Sequence, residues 1–193
     1  MNAFFVSIAH NLRRLLDFSG RESQILFWPY AGFIYALATV VSSFLIMAPV
    51  MEMLVQMMKQ IRDAAEQGGN AEPAFIKAPE MLMPDFSGLV LPIVLVNLAT
   101  IALLAAAIAR RLHDKDRSGY WGLLPLPTML IGLVFMPQIL AGFIPPRQSD
   151  PLLGLLMLNN LASFGLIVVL VILLVGKGSE GPNRFGTTSA VPD

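Results

Sequence analysis

The chain has 193 residues, 55% of them hydrophobic and 13% charged, against roughly 25% charged in an average soluble domain. So few charges could not cover the surface of a soluble domain of this size, and a formal net charge of +0 excludes a nucleic-acid binder that works by bulk electrostatics. Cysteine is absent, which excludes disulfides, thiolate metal sites and a cysteine nucleophile.

The first twenty residues, MNAFFVSIAHNLRRLLDFSG, place Phe5, Ile8, Leu12 and Leu15 on one helical stripe, with Ser7, His10, Asn11, Arg14 and Asp17 opposite. This spacing predicts an amphipathic helix in the headgroup layer, with Arg13 and Arg14 near anionic lipid. The same stripe also fits packing on the protein's own helices. Residues 23–51 then lack any Asp, Glu, Lys or Arg. They exceed the ~20 apolar residues that cross a ~30 Å hydrocarbon core, and a first span is expected near 26–51. It starts too late and runs too long for a cleaved signal, so it is expected to stay as an anchor. An outer loop follows over 52–88. Its opening, MEMLVQMMKQIRDAAEQ, reads as a continuation of the first helix, and Gly68, Gly69, Pro73, Pro79 and Pro84 then break it.

The second charge-free stretch, 86–109, gives a span near 89–109 and leads into a polar loop at 110–120. The third, 118–146, gives a span near 121–144 in which Pro125, Pro127 and Pro137 remove backbone donors, so a kink or a broken first turn is expected. Two readings of these prolines stay open: ordinary tolerance in a membrane helix, or a discontinuous helix lining a site. No ionisable residue lies at mid-membrane depth in any span, which counts against an ion-coupled permease. The fourth stretch, 151–176, gives a span near 152–175, followed by a tail at 176–193. No alternating strand pattern is present, and backbone polar groups in lipid must be satisfied internally, so the spans are helices. The expected fold is all-α: a polytopic four-transmembrane-helix bundle in one domain, with an N-terminal interfacial amphipathic helix. Small faces such as Gly32 with Ala36 and Ala102 with Ala106 suit close helix approach.

Orientation follows from the basic residues. With the N-terminus inside, Arg13, Arg14, Arg21, Arg110, Arg111, Lys115, Arg117, Lys177 and Arg184 share one side, against Lys59, Arg62, Lys77 and Arg147 on the other. Nine against four favours both termini in the cytoplasm.

Three polar motifs then fall on the cytoplasmic side: FSGRESQILFW at 18–28, RRLHDKDRSGYW at 110–121 and GKGSEGPNRFG at 176–186. The chain resembles the DUF805 family of bacterial inner-membrane proteins. Gly20, Arg21, Phe27 and Trp28 match its first motif, and Arg110, Arg111, Leu112, His113, Asp114, Arg117, Ser118 and Gly119 its second. Gly178, Gly181, Asn183, Phe185 and Gly186 match its third. Departures lie at Gln24, Ile25 and Leu26, where the family is charged, and at Tyr120, where it has Trp. The resemblance implies a multi-pass protein of the bacterial inner membrane with a cytoplasmic polar cluster, and it implies no reaction.

Arginine is shaped to hold phosphate or carboxylate bidentately. The cluster Arg21, Arg110, Arg111, His113, Asp114, Arg117, Asn183 and Arg184 is therefore the candidate site for an anionic headgroup, a small anion or a partner segment. Gly20, Trp28, Ser118, Gly119, Gly178, Gly181 and Gly186 form its expected structural frame. A plainer reading fits the same residues: turns and salt bridges that lock loops against the bundle, since loop charges most often serve topology. The alternative function is a small permease or channel-like subunit, motivated by the proline-broken third span and by Asn97, Asn159 and Asn160 inside spans. No catalytic constellation and no metal set is visible, the only histidines being His10 and His113. Neither an enzyme nor a cofactor is expected. The expected partners are membrane lipids, with a second copy or a membrane partner left open and no nucleic acid.

Overall fold

The computed structural model describes residues 2–66, 87–142 and 151–187 of the chain. Most of the glycine- and proline-rich part of the outer loop, the end of the third span past 142 and the tail past 187 lie outside the described residues.

The described residues form five α-helices: α1 (Ala3–Arg13), α2 (Gln24–Glu66), α3 (Val90–Asp114), α4 (Leu126–Gly142) and α5 (Pro151–Val175). α2, α3 and α5 are each long and apolar enough to cross a membrane. The 43 residues of α2 make a rod of about 65 Å, more than twice the ~30 Å hydrocarbon core. The expected continuation past Met51 is therefore helical as far as Glu66.

α4 has 17 residues, about 25 Å at 1.5 Å per residue, and a five-residue 3-10 turn, Gly119–Leu123, precedes it. Pro125 stands between the two, and Pro127 falls in the first turn of α4, where backbone N–H groups lack an intrahelical partner anyway. The backbone runs helical through Pro137. Of the two outcomes expected for this span, the first turn is broken.

The segment read as a loop at 110–120 is in part helix, because α3 continues through Asp114. Its charged residues stay helical because their heads are paired within the protein and a helix C-terminus favours cations. The helix stops where the Lys115 and Arg117 N–H groups both donate to the Leu112 carbonyl and Asp116 adopts φ 55.

α2 packs against α1 and α3, α4 packs against α5, and α3 touches all three other long helices. The start of α2 and the ends of α3 and α5 meet at one pole, where Phe27, Tyr30, Ile34, Ala107, Leu112, Leu170 and Leu174 make the buried core. The Tyr30 hydroxyl donates to the Leu103 carbonyl at 2.8 Å. Away from this pole the long helices present exposed apolar residues, Phe44 and Met58 on α2 and Leu161 and Phe164 on α5 among them. In lipid these are the solvated positions. Ala106 is buried in the α3 packing, whereas Gly32 faces open space.

α1 is set with its polar face inward. Ser7 and Asn11 are fully buried, whereas Phe5 and Leu12 face out and Leu16, just past the helix, is 90% exposed. The Ser7 hydroxyl and the Asn11 amide both donate to the Leu26 carbonyl. That carbonyl neighbours the one at Ile25, whose helical donor is removed by Pro29. Ile8 and Leu15 pack against the core as the two readings of the stripe divide: part of it meets protein and part faces outward.

Candidate functional site

The three polar motifs converge at the packed pole. Arg21, Glu22, Arg110, Arg111 and Asp114 are all buried there, at most 2% exposed. Burying charge is costly unless each charge is paired and hydrogen-bonded, so the partners decide what the cluster is.

Arg21 leads out of the turn at Gly20, whose φ is +78. Its Nε donates to Asp114 Oδ1 at 3.1 Å and its Nη2 to the Ser179 carbonyl at 2.7 Å. Its Nη1 donates to the carbonyls of Gly181 and Gly186. Arg110 donates through Nε to Glu22 at 2.7 Å and through Nη2 to Asn11 Oδ1 at 2.7 Å. Its Nη1 takes the carbonyls of Arg14 and Asp17, just past the end of α1. Arg111 pairs with Asp114 and donates to the carbonyls of Leu174 at 3.0 Å, Gly176 at 2.6 Å and Glu22 at 3.3 Å. Every guanidinium nitrogen of these three residues therefore has an acceptor within the chain.

Charges do not balance by side chains alone. Arg21, Arg110 and Arg111 bring three positive charges into the cluster, and Glu22 and Asp114 bring two negative ones. The carbonyls at the C-terminal ends of α3 and α5, which carry the negative ends of two helix dipoles, offset the surplus. Burial pushes the Glu22 carboxyl above its ordinary pKa, against the opposing pull of Arg110. Its Oε1 has no hydrogen-bond partner among the described residues, which is consistent with that direction. Outside the cluster, hydrogen bonds from the Ser19 hydroxyl and then Arg14 hold the Asp17 carboxyl well below the usual range.

The tail is tied down through a tight turn. Asn183 and Gly186 exchange backbone hydrogen bonds at 3.1 and 2.9 Å. The Asn183 amide donates to the His113 carbonyl and the Ser179 hydroxyl, both at 2.9 Å. The His113 ring contacts the Gly20 carbonyl through Nδ1 at 3.1 Å and stacks on Phe185 at 3.9 Å. Gly186 has φ +102, a conformation that L side chains resist. A Cβ at Gly178 would enter the Asp114 carboxylate. Gly178→Ala is therefore expected to destabilise the fold by about 1–3 kcal/mol through overpacking. Its signature is faster hydrogen exchange over 176–187, and unchanged exchange there would show that the tail is not seated on Asp114.

The remaining frame residues lie nearby. Trp28 meets Phe27 edge-on at 5.1 Å. The Ser118 hydroxyl caps the 3-10 turn by accepting from the Tyr120 N–H, and Gly119 and Gly181 lie at a close approach to Ala109 and in a turn with φ +70.

Two members of the expected cluster stand apart from it. Arg117 is exposed, 5.8 Å over the Trp121 ring. Arg184 is also outside, paired with Asp116 at 3.1 Å and lying over Phe185. Among the described residues, Arg13, Lys59, Arg117 and Lys177 are exposed cations without an ion pair; Lys59 lies toward the far end of α2, and the other three flank the packed pole.

Reasoning from sequence missed Glu22, Ser7, Asn11, Gln24 and Ser179 as cluster members. Glu22 follows Arg21 directly, and a charged pair at the very mouth of an apolar span was the available signal. Gln24 donates to the Val175 and Gly176 carbonyls, so an amide closes the end of α5. Among the described residues no group of three metal-ligating side chains occurs.

A family model described as "Protein of unknown function (DUF805)" matches residues 15–187. No curated protein and no solved structure matches the chain.

Proposed function

The chain belongs to the DUF805 family, and from that premise we propose that its polar motifs act as an internal clamp that holds a basic rim against anionic headgroups at the cytoplasmic face. The observation that carries the reading is the division of the cations. Arg21, Arg110 and Arg111 are saturated inside the chain, whereas Arg13, Arg117 and Lys177 point outward without an ion pair among the described residues. Arg21 and Arg111 hold the start of the chain's own tail, and Arg110 holds the end of α1. The exposed face of α1 supports the same reading, because Phe5, Leu12 and Leu16 reach outward beside Arg13 and suit the boundary between headgroups and acyl chains. The cytoplasmic side is assigned from the basic residues and the bacterial inner membrane from the family resemblance, and the role is binding, without catalysis.

Each basic side chain near an anionic surface contributes about 1 kcal/mol. Native mass spectrometry of the protein in nanodiscs of mixed zwitterionic and anionic phospholipid tests this. The wild type is expected to retain anionic lipid preferentially, and Arg13→Gln/Arg117→Gln/Lys177→Gln to weaken retention about tenfold or more. Equal retention by both proteins would refute the headgroup role. Labelling of Glu180→Cys from the outer side, in this cysteine-free background, would refute the orientation.

A further inference from the structure

A second site lies in the apolar part of the bundle. α3, α4 and α5 enclose a cavity of about 330 Å³, within the range of small-molecule sites. Ile101, the lining residue of α3 nearest the clamp, lies nine residues from Arg110, about 14 Å along the helix, so the cavity is separated from the clamp by most of a leaflet. Its walls are mainly aliphatic, and Asn97, Thr128, Asn160 and Ser163 line it as well. Among the described residues no ionisable side chain lines it.

Those four polar groups are not equivalent. The Asn97 amide donates to the Ile93 carbonyl at 2.8 Å and the Thr128 hydroxyl to the Pro125 carbonyl at 3.0 Å, so each makes one hydrogen bond within its own segment. Asn159, beside the cavity, donates to the Thr128 carbonyl at 3.0 Å and ties α5 to the broken start of α4. Asn160, which is exposed on the open side of the cavity, and Ser163, one turn further on α5, line it without a side-chain hydrogen bond among the described residues. In a medium without water, a carboxamide left unpaired costs several kcal/mol. Gly132 opens the space in front of these groups, since a Cβ there would stand 3.6 Å from Asn159 Nδ2 and 3.9 Å from Asn160 Oδ1. Leu98 and Leu130 on the lining are about half exposed, so the cavity opens sideways toward lipid.

We propose that this cavity is a lipid-accessible binding site for a neutral molecule with an apolar body and a hydroxyl or carbonyl group that pairs with Asn160 and Ser163. The absence of lining charge excludes an ionic headgroup, and the aliphatic walls exclude a strongly hydrated solute. The proposal is independent of the headgroup reading, being at another depth and on other helices.

The probe is a diazirine-bearing long-chain alcohol, photo-crosslinked to the full chain in nanodiscs, with peptide mapping by mass spectrometry. Saturable labelling is expected within 93–101, 126–133 and 160–163, and an excess of the unmodified alcohol should suppress it. Asn160→Leu removes the amide while keeping the same number and branching of heavy atoms, and is expected to weaken labelling about fivefold or more, the loss of one hydrogen bond in an apolar site. Gly132→Leu fills the space and is expected to abolish it, with Gly132→Ala, whose methyl meets only ordinary contacts, as the variant that keeps the fold. Labelling that is unsaturable and spread over all lipid-facing helices, or that persists at wild-type level in folded Asn160→Leu, would overturn the proposal. Rim substitutions at Arg117 and Lys177 should leave this labelling unchanged.

Discussion

Asp114→Ala is expected to unfold the packed pole, with a loss of about 3–5 kcal/mol, because one carboxylate neutralises two buried guanidiniums. Asp114 Oδ1 takes Arg21 at 2.9 Å and Oδ2 takes Arg111. Its backbone carbonyl also accepts from the Ser179 N–H at 2.8 Å, so the residue joins α3, the start of α2 and the tail. The substitution leaves two positive charges in a space that water does not reach. The fall in unfolding midpoint should come with faster hydrogen exchange over both 20–24 and 176–187. A midpoint within 1 °C of wild type would mean that the arginines are neutralised from outside the chain, as a bound anion would do.

Arg110→Ala is expected to cost a similar ~3–5 kcal/mol for the opposite reason, since it strands the Glu22 carboxylate and frees the carbonyls of Arg14 and Asp17. α1 should then detach while α3 and α5 stay paired. A fluorophore pair placed on α1 and on the outer half of α2 would report the detachment as a lower transfer efficiency. Arg110→Lys keeps the charge and loses the planar fork that reaches Glu22, Asn11 and α1 together, so it should recover only a minor part. Full recovery by lysine would reduce the role of Arg110 to charge alone.

These two residues also mark where sequence reasoning stops. The apolar blocks, the helical continuation past Met51 and the break before Leu126 were legible, because block length and proline act locally. The gathering of Arg21, Arg110, Arg111, Asp114 and Asn183 at one end was legible too, since helices that alternate in direction return their polar ends to the same side. What the arginines hold was not. Their acceptors are mostly backbone carbonyls, of Leu174, Gly176, Ser179 and Gly181, and a backbone carbonyl leaves no trace in a residue pattern. The sense of α1 was hidden for a related reason. A helical stripe says which residues share a face, and in water the polar face would point out. Where the outer medium is lipid and the inner one offers the Leu26 carbonyl and Arg110, Ser7 and Asn11 turn inward.

The concentration of packing at one pole has a mechanical corollary. Rods knotted together at one end behave as the legs of a tripod, free to alter their splay while the knot holds. α5, 25 residues, is about 37 Å long and projects onto a ~30 Å core when leaning about 35°, inside the range seen for membrane helices, whereas the part of α3 before Arg110 matches that core at about 30 Å when nearly upright. A thinner bilayer is met by leaning further and a thicker one by standing up. The hinge for that movement is the arginine knot, and the splay changes nothing within it.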